Sequence, residues 1–516
     1  MYDLYELVRI IEDNLDLKKT DWDLAIDQIN DREKEILTKI RSKTRKEEYL
    51  LAQELGYQDE QDPNYRRYKR QTKNFLFKMI LRYSPEKKAK TSFQKAYYRT
   101  QKLFGVFNIL RGLGNSSMAL RLAKQLVRTC KYYYFNEMVF ELSRYLGRYY
   151  SNNELNLQQA NEFFGQAEEA LKLIDLEFKI EREYSEYVTH FINNKSIKPI
   201  KGLEALKALK TFDNPSDHSI ASFKYQLYYY RLGTLGAEGA GDFRKALLFA
   251  SKGYDYFQAL HFDHGTAKII FMSTMAQYYL KLRQLAQARS IVVDTLILQE
   301  KGRTNWFISK KLLVQIEIHS KNYNPAFQHY LEIFNHKNLK NIPDDIQSTI
   351  KLIGAYLEFL RLTNEITIGP VPTRFRINRF VNEVPKFSAD KRGMRIPLII
   401  AQLLYNIYDK NYDAVENRIF ALKDYCSRNL MRKSENFRSN CFIKMLLLIP
   451  TNSFNPIAAK RKTHNLLRRL SEVPYELSSQ SSEVEVIPYE DLWAIILKYL
   501  QAPKRRRKVK YDFTQR

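Results

Sequence analysis

One motif recurs along this chain and narrows what it can fold into. It is an apolar residue, two variable positions and an alanine, opening an amphipathic run. It reads Asn156-Leu157-Gln158-Gln159-Ala160, Asp242-Phe243-Arg244-Lys245-Ala246, Gln284-Leu285-Ala286-Gln287-Ala288 and Asn322-Tyr323-Asn324-Pro325-Ala326, with a variant at Asn411-Tyr412-Asp413-Ala414-Val415. The intervals are 86, 42, 38 and 89 residues, and the first and last are near twice 43. A degenerate copy is therefore expected inside each long interval, around Ala205 and in the helix from Gln347 to Leu362. A weaker copy ends at Ala119, 41 residues before Ala160. Self-similarity at such a period marks stacked repeats.

An apolar stretch precedes the strong copies: Tyr145-Leu146-Gly147 before Ala160, Tyr228 to Gly233 before Ala246, and Met275 to Tyr279 before Ala288. Each copy thus reads as the second helix of a pair. The small residue lets two helices approach closely, and an aromatic fills the groove beside it. Two helices cannot bury their apolar faces alone, so neighbouring pairs must stack. Only 17 Gly and 15 Pro interrupt 516 residues, and 44% hydrophobic content suffices for a core. The expected fold is all-α: an α-solenoid of stacked antiparallel helix pairs with helical N- and C-terminal extensions. Ala160, Ala246, Ala288 and Ala326 are its expected packing residues.

The Leu-Gly and Tyr of the first helix, followed by Asp-Tyr-x-x-Ala-like openings of the second, resemble the tetratricopeptide repeat. The likeness is best over residues 142–335. The period of about 40 exceeds the usual ~34, and the helix-ending proline of that repeat is absent from these copies. The chain is more similar to long-helix repeats of bacterial regulatory and scaffold proteins, and its C-terminal third to uncharacterised bacterial helical-repeat proteins. The resemblance implies a tetratricopeptide-like superhelix. Its concave groove, built from first-helix side chains, would hold an extended peptide or a partner helix.

Five segments are expected: acidic helices over 1–62, a basic helical segment over 63–136, repeats over 137–345, degenerate helical repeats over 346–502 and a basic tail over 503–516. Helices are expected over 3–15, 21–55 and 64–112, the last broken near Ser84-Pro85. Residues 364–373, with Gly-Pro and Val-Pro, read as a linker because neither step continues a helix. Ser478 to Glu485 reads as a polar loop before a last helix from Tyr489 to Leu500.

The net charge of +26 is unevenly spread. Residues 1–62 carry 10 basic and 17 acidic side chains, residues 63–136 carry 18 basic against Glu86 alone, and the last 14 carry seven basic against Asp512. So basic a chain favours anionic partners: nucleic acid, an acidic protein or an anionic membrane surface. Cys130, Cys426 and Cys441 form no Cys-x-x-Cys pair and no disulfide framework, which reads as a reducing compartment. The opening stretch has acids within its apolar run, unlike a secretory signal. Ile396 to Tyr408 is too short to span a bilayer. A cytoplasmic location is expected.

The basic segment is the leading candidate surface. Arg66, Arg67, Lys69, Arg70 and Lys73 are followed by Lys78, Arg82, Lys87, Lys88 and Lys90, then Lys95, Arg99 and Lys102. Tyr65, Tyr68, Tyr97 and Tyr98 are interleaved. Phosphates need Lys or Arg, and a single strand adds aromatic stacking. The plainer reading is a solvated helix face, partly neutralised by the acids of 1–62, with the tyrosines packing the fold. If the surface reading holds, Arg66, Arg70 and Lys73 project together while Phe75, Phe77 and Leu81 help to anchor the helix in the core. The tail around Arg505, Arg506 and Arg507 resembles a nuclear import signal. It could equally anchor the chain to RNA, DNA or an acidic partner, or merely solubilise its end.

Gly233, Gly236, Gly239 and Gly241 resemble a phosphate-cradling loop, but no strand precedes them and no Lys-Ser/Thr follows. A widened turn between two helices is the expected reading. His261, Asp263 and His264 could ligate a metal only with help from elsewhere, and an exposed polar turn is expected instead. No catalytic motif, metal site or cofactor site is expected. Three readings remain: a non-enzymatic scaffold binding a protein or peptide in its groove, a protein binding RNA or DNA through residues 63–136 and the tail, and a ligand-responsive regulator.

Overall fold

The computed structural model describes residues 2–14, 19–41, 48–82, 85–114, 116–193, 198–212, 222–368, 395–409, 437–473 and 485–501. These form twenty-one α-helices with no strand among the described residues. Residues Asn411 to Val415, Cys426 and the basic tail lie outside the described residues. The chain divides into two compact units: Met1–Lys179 with Ser216–Tyr225 and Phe257–Gly265, and Ile180–Pro215 with Gln226–Tyr256 and Thr266–Arg516.

The first unit opens with α1 (Tyr2–Asn14), α2 (Lys19–Ile26), α3 (Asp31–Arg41), α4 (Glu48–Glu54) and α5 (Pro63–Arg82). Their apolar residues recur at helical spacing, as in Leu4, Val8 and Ile11, and meet Leu37, Tyr65 and Leu76 in one core. Longer helices follow: α6 (Ser92–Gly112), α7 (Ser116–Tyr132), α8 (Asn136–Asn152) and α9 (Leu157–Asn193). Thr91 caps α6 by accepting from the Gln94 amide at 3.1 Å.

The remaining helices are α10 (Lys198–Ala208), α11 (Phe223–Gly239), α12 (Phe243–Ala259), α13 (Gly265–Lys281), α14 (Leu285–Leu298), α15 (Thr304–His319), α16 (Tyr323–Phe334) and α17 (Asp344–Leu362). The chain ends with α18 (Arg395–Tyr408), α19 (Phe437–Leu447), α20 (Pro456–Glu472) and α21 (Tyr489–Gln501). In the second unit the cores run on from helix to helix. Ala237, Phe243, Ala246 and Tyr278 join α11, α12 and α13. Ala276, Leu280, Ala288, Val292 and Ile316 join α13, α14 and α15. Val314, Ala326, Ile353, Leu404, Phe442 and Trp493 belong to the core of α15 through α21. Each helix buries one face on the helix before it and another on the one after. That is the sequential packing of an α-solenoid.

The tight turns explain the spacing of the motif. Gly241, Arg283 and Lys321 have φ of 81°, 60° and 61°. Each sits in the left-handed region just past a helix, where it and its successor donate to the last free carbonyls. The Arg283 amide donates to Leu280 O at 3.1 Å and that of Gln284 to Tyr279 O at 2.8 Å. The successor then opens the next helix: the carbonyls of Asp242, Gln284 and Asn322 accept from the amides of Ala246, Ala288 and Ala326, each at 3.0 Å. The motif alanine therefore falls one turn into the second helix, facing the first. Tyr134, with φ 57°, makes the same turn between α7 and α8.

Two readings of the glycine run need correction. Gly233, Gly236 and Gly239 lie inside α11, and only Gly241 is in a turn. A Cβ on Gly233 would stand 2.5 Å from the Phe249 ring, and one on Gly202 2.6 Å from the Gly236 carbonyl. The glycines are a close-packing face, neither a phosphate loop nor a widened turn. Gly147 makes the same room for the Phe164 ring, at 2.9 Å. Glu485, read as the end of a polar loop, is buried.

Candidate interaction surface

Helix α5 starts where Asp62 Oδ1 accepts from the Asn64 and Tyr65 amides at 2.8 and 3.2 Å, with Pro63 in the first turn. Its buried face is Tyr65, Thr72, Leu76 and Met79. Helical phase then sends Arg66, Arg67 and Arg70 outward, and all three are exposed. Lys69 and Lys73 are half-buried, and Lys87, Lys88 and Lys90 lie exposed in the 3-10 turn Pro85–Lys88 and just beyond it.

The acids of residues 1–62 hold cations of their own segment. Glu12 pairs with Arg41 at 3.0 Å, Glu35 with Arg32 at 3.1 Å, Asp27 with Lys34 at 3.7 Å and Glu54 with Lys39 at 3.8 Å. Among the described residues no ion pair joins Arg66, Arg67 or Arg70 to an acid.

Of the three expected anchors, Phe75 packs against the core, but Phe77 and Leu81 do not. Phe77 is 44% and Leu81 74% exposed. Phe77 lies 11 residues after Arg66 and Leu81 11 after Arg70, each close to three helical turns, so they share the outward face of those arginines instead of anchoring the core. The Lys73 ammonium sits 5.8 Å from the centre of the Phe77 ring. Of the interleaved tyrosines, Tyr65 is buried against Tyr57, Tyr68 is half-buried beneath the Arg67 guanidinium, and Tyr97 and Tyr98 are exposed.

Helix α6 repeats the arrangement. Thr100 and Phe107 are buried, and the opposite stripe carries Lys95, Tyr98, Arg99 and Lys102, then Val106, Ile109 and Leu113. Ile109 is 64% and Leu113 76% exposed. Lys102 Nζ donates to the Arg82 carbonyl at 3.4 Å, which sets the end of the α5 stripe beside the middle of the α6 stripe. On α6 the stripe runs from cationic to apolar, whereas on α5 Phe77 and Leu81 stand among the exposed cations Lys78 and Arg82. The charge count alone hides this; the phase of Phe77 and Leu81 against Arg66 and Arg70 is the signal that reveals it.

The other candidates are structural. Ala160, Ala246, Ala288 and Ala326 are fully buried. The His261 turn is exposed only in part: His261 and Asp263 are exposed as expected, but Phe262 and His264 are buried, His264 lying 4.3 Å from the Phe93 ring, centre to centre. His261 Nε2 is 2.7 Å from the Tyr132 carbonyl. Among the described residues no group of three or more His, Cys, Asp or Glu could hold a metal ion. Cys130 is buried, and burial pushes its thiol up to about 12, the wrong direction for a nucleophile.

Buried ionisable groups are tied into hydrogen bonds between helices. Glu177 accepts from Asn136 Nδ2 at 2.7 Å and from Ser222 Oγ at 2.5 Å, and burial holds its carboxyl above the ordinary range. Glu238, partly buried, accepts from Tyr278 and Lys281 at 2.8 and 2.6 Å. Glu317 accepts from Arg289 and Asn322 at 2.7 and 2.8 Å. Arg438 donates to Glu485 at 2.6 Å and to Glu490 at 2.7 Å. No helix among the described residues is long and apolar enough to cross a membrane.

No family model matches the chain, and neither does any curated protein or solved structure.

Proposed function

We propose that this protein is a non-enzymatic helical-repeat scaffold that binds a macromolecular partner through side chains exposed on its stacked helices. One observation carries the reading. Glu177, Glu317, His319 and Arg438, buried groups of the kind that unusual chemistry would draw on, tie a helix to a neighbouring helix or to the segment before the last one. The resemblance to tetratricopeptide repeats adds a groove for a peptide or partner helix, and fold alone does not fix function. The test is affinity capture with the full chain from its native host, with and without nuclease. A scaffold retains the same protein partners after nuclease.

A second reading, binding to RNA or DNA, is favoured by the exposure of Arg66, Arg67 and Arg70 beside acids that pair elsewhere. Reversing Arg66, Arg67, Arg70 and Lys73 to Glu should then abolish binding to a homopolymeric RNA without unfolding the chain. Wild-type affinity should fall with salt, with a log–log slope of ~0.7–0.9 per phosphate contact. A flat salt response removes this reading.

A further inference from the structure

We propose that the outward faces of α5 and α6 form a peripheral docking site for an anionic lipid bilayer. The inference stands apart from the scaffold reading and rests on the first unit alone. Each stripe combines cations and protruding apolar side chains on one exposed face. Arg66 and Arg70 on α5, and Lys95 and Arg99 on α6, present cations. Farther along, Leu81, Ile109 and Leu113 stand 74%, 64% and 76% exposed to water. Such aliphatic side chains gain free energy only by leaving water.

The combination selects the partner. Phosphates satisfy Arg and base faces satisfy Tyr, but a nucleic acid takes up Leu or Ile only by contact with single bases or by unstacking them. An acidic protein surface would supply the charge, but it must also supply pockets matched to knobs on two helices. A bilayer meets both needs at once: its lipid phosphates and serine carboxylates attract the cations, and the region beneath accepts protruding aliphatic and aromatic groups without a shaped pocket. Phe77 with the Lys73 ammonium over its ring, and Tyr98 between Lys95 and Lys102, suit the boundary between the two layers. The hydrogen bond from Lys102 to the Arg82 carbonyl joins the two stripes at one point.

The test is co-sedimentation of the full chain with vesicles of phosphatidylcholine containing a third phosphatidylserine, and with phosphatidylcholine alone. Binding is expected only with phosphatidylserine. The triple variant Leu81→Ser, Ile109→Ser, Leu113→Ser keeps every charge, including those of the basic tail. It should lower vesicle partitioning by at least ~10-fold. The variant Arg66→Gln, Arg70→Gln, Lys95→Gln, Arg99→Gln should lower it by ~100-fold. The aliphatic positions are exposed, and a circular dichroism melt checks that the fold survives.

A second readout needs no loss of binding. Trp22, Trp306 and Trp493 are buried, so Leu113→Trp adds an exposed indole. Its emission should shift to the blue, and brominated lipid should quench it, when vesicles are added. Unchanged partitioning of the serine variant, or an indole that stays in water, overturns the proposal. Tight RNA binding that ignores the serine substitutions, with no vesicle binding, overturns it in favour of the nucleic-acid reading.

Discussion

His319 on α15 donates its Nε2 proton to the backbone carbonyl of Glu485 at 2.9 Å, across 166 residues of sequence. The opposite nitrogen, Nδ1, lies 3.1 Å from Arg283 Nη1. Because a guanidinium only donates, Nδ1 must be the unprotonated nitrogen. The imidazole is therefore neutral, in a defined tautomer, and buried. Adding a proton would place a second charge beside Arg283 on a buried ring.

Acid should accordingly loosen this protein as His319 takes up a proton. Burial first, and then Arg283, push His319 down to about 4. Between that value and the ordinary ~6.5, the unfolded chain binds more protons than the native one. Stability thus rises with pH across that window and is lost as pH falls through it, by ~3 kcal/mol in all. His319→Gln keeps a donor and an acceptor but cannot titrate. Urea midpoints at pH 7 and pH 5 should differ more for the wild type than for this variant. Equal differences would rule out His319 as the source.

The motif alanines should not tolerate bulk. Ala246, Ala288 and Ala326 are completely buried one turn into α12, α14 and α16. Leucine at any one of them should destabilise by ~1–3 kcal/mol through overpacking, measured by denaturant unfolding. Tolerance at all three would mean that these positions do not set how closely the helices approach.

Gly233 and Phe249 should behave as a coupled pair. A Cβ on Gly233 would approach the Phe249 ring to 2.5 Å. Gly233→Ala should cost ~1–3 kcal/mol. Phe249→Leu in the same chain should recover part of that loss, giving a non-additive double-mutant cycle. Additive effects would show that the ring is not what limits the site.

Asn364, just past α17, has φ of 62° and an exposed side chain. Its amide donates to Arg361 O at 3.1 Å and that of Glu365 to Leu360 O at 2.9 Å. Asn364→Gly should leave stability unchanged or raise it by up to ~0.5 kcal/mol, and Asn364→Val should lower it by ~1–2 kcal/mol. Thermal melts of the two variants should fall on opposite sides of the wild type or, for glycine, coincide with it. A valine variant as stable as the wild type would contradict the left-handed geometry.

The sequence by itself determined the helical class and the places where second helices begin. Those depend on local chemistry: an apolar residue and a small residue one turn in, within four positions. It also determined where charge concentrates. It did not determine the turns, because Tyr134, Arg283 and Lys321 adopt the left-handed conformation that composition assigns to glycine, held there by carbonyls of the preceding helix. Tertiary structure decided which residues a helix spends on its core. Phe77 and Leu81 are as apolar as Leu76 and Met79, yet they point to water because the α5 core face is already set by Tyr65 and Thr72. It likewise decided that Gly233 and Gly236 pack helices and that His264 enters an aromatic core. A side chain's polarity is a local property. Whether it meets solvent depends on which neighbouring helix arrives, and that neighbour comes from dozens or hundreds of residues away.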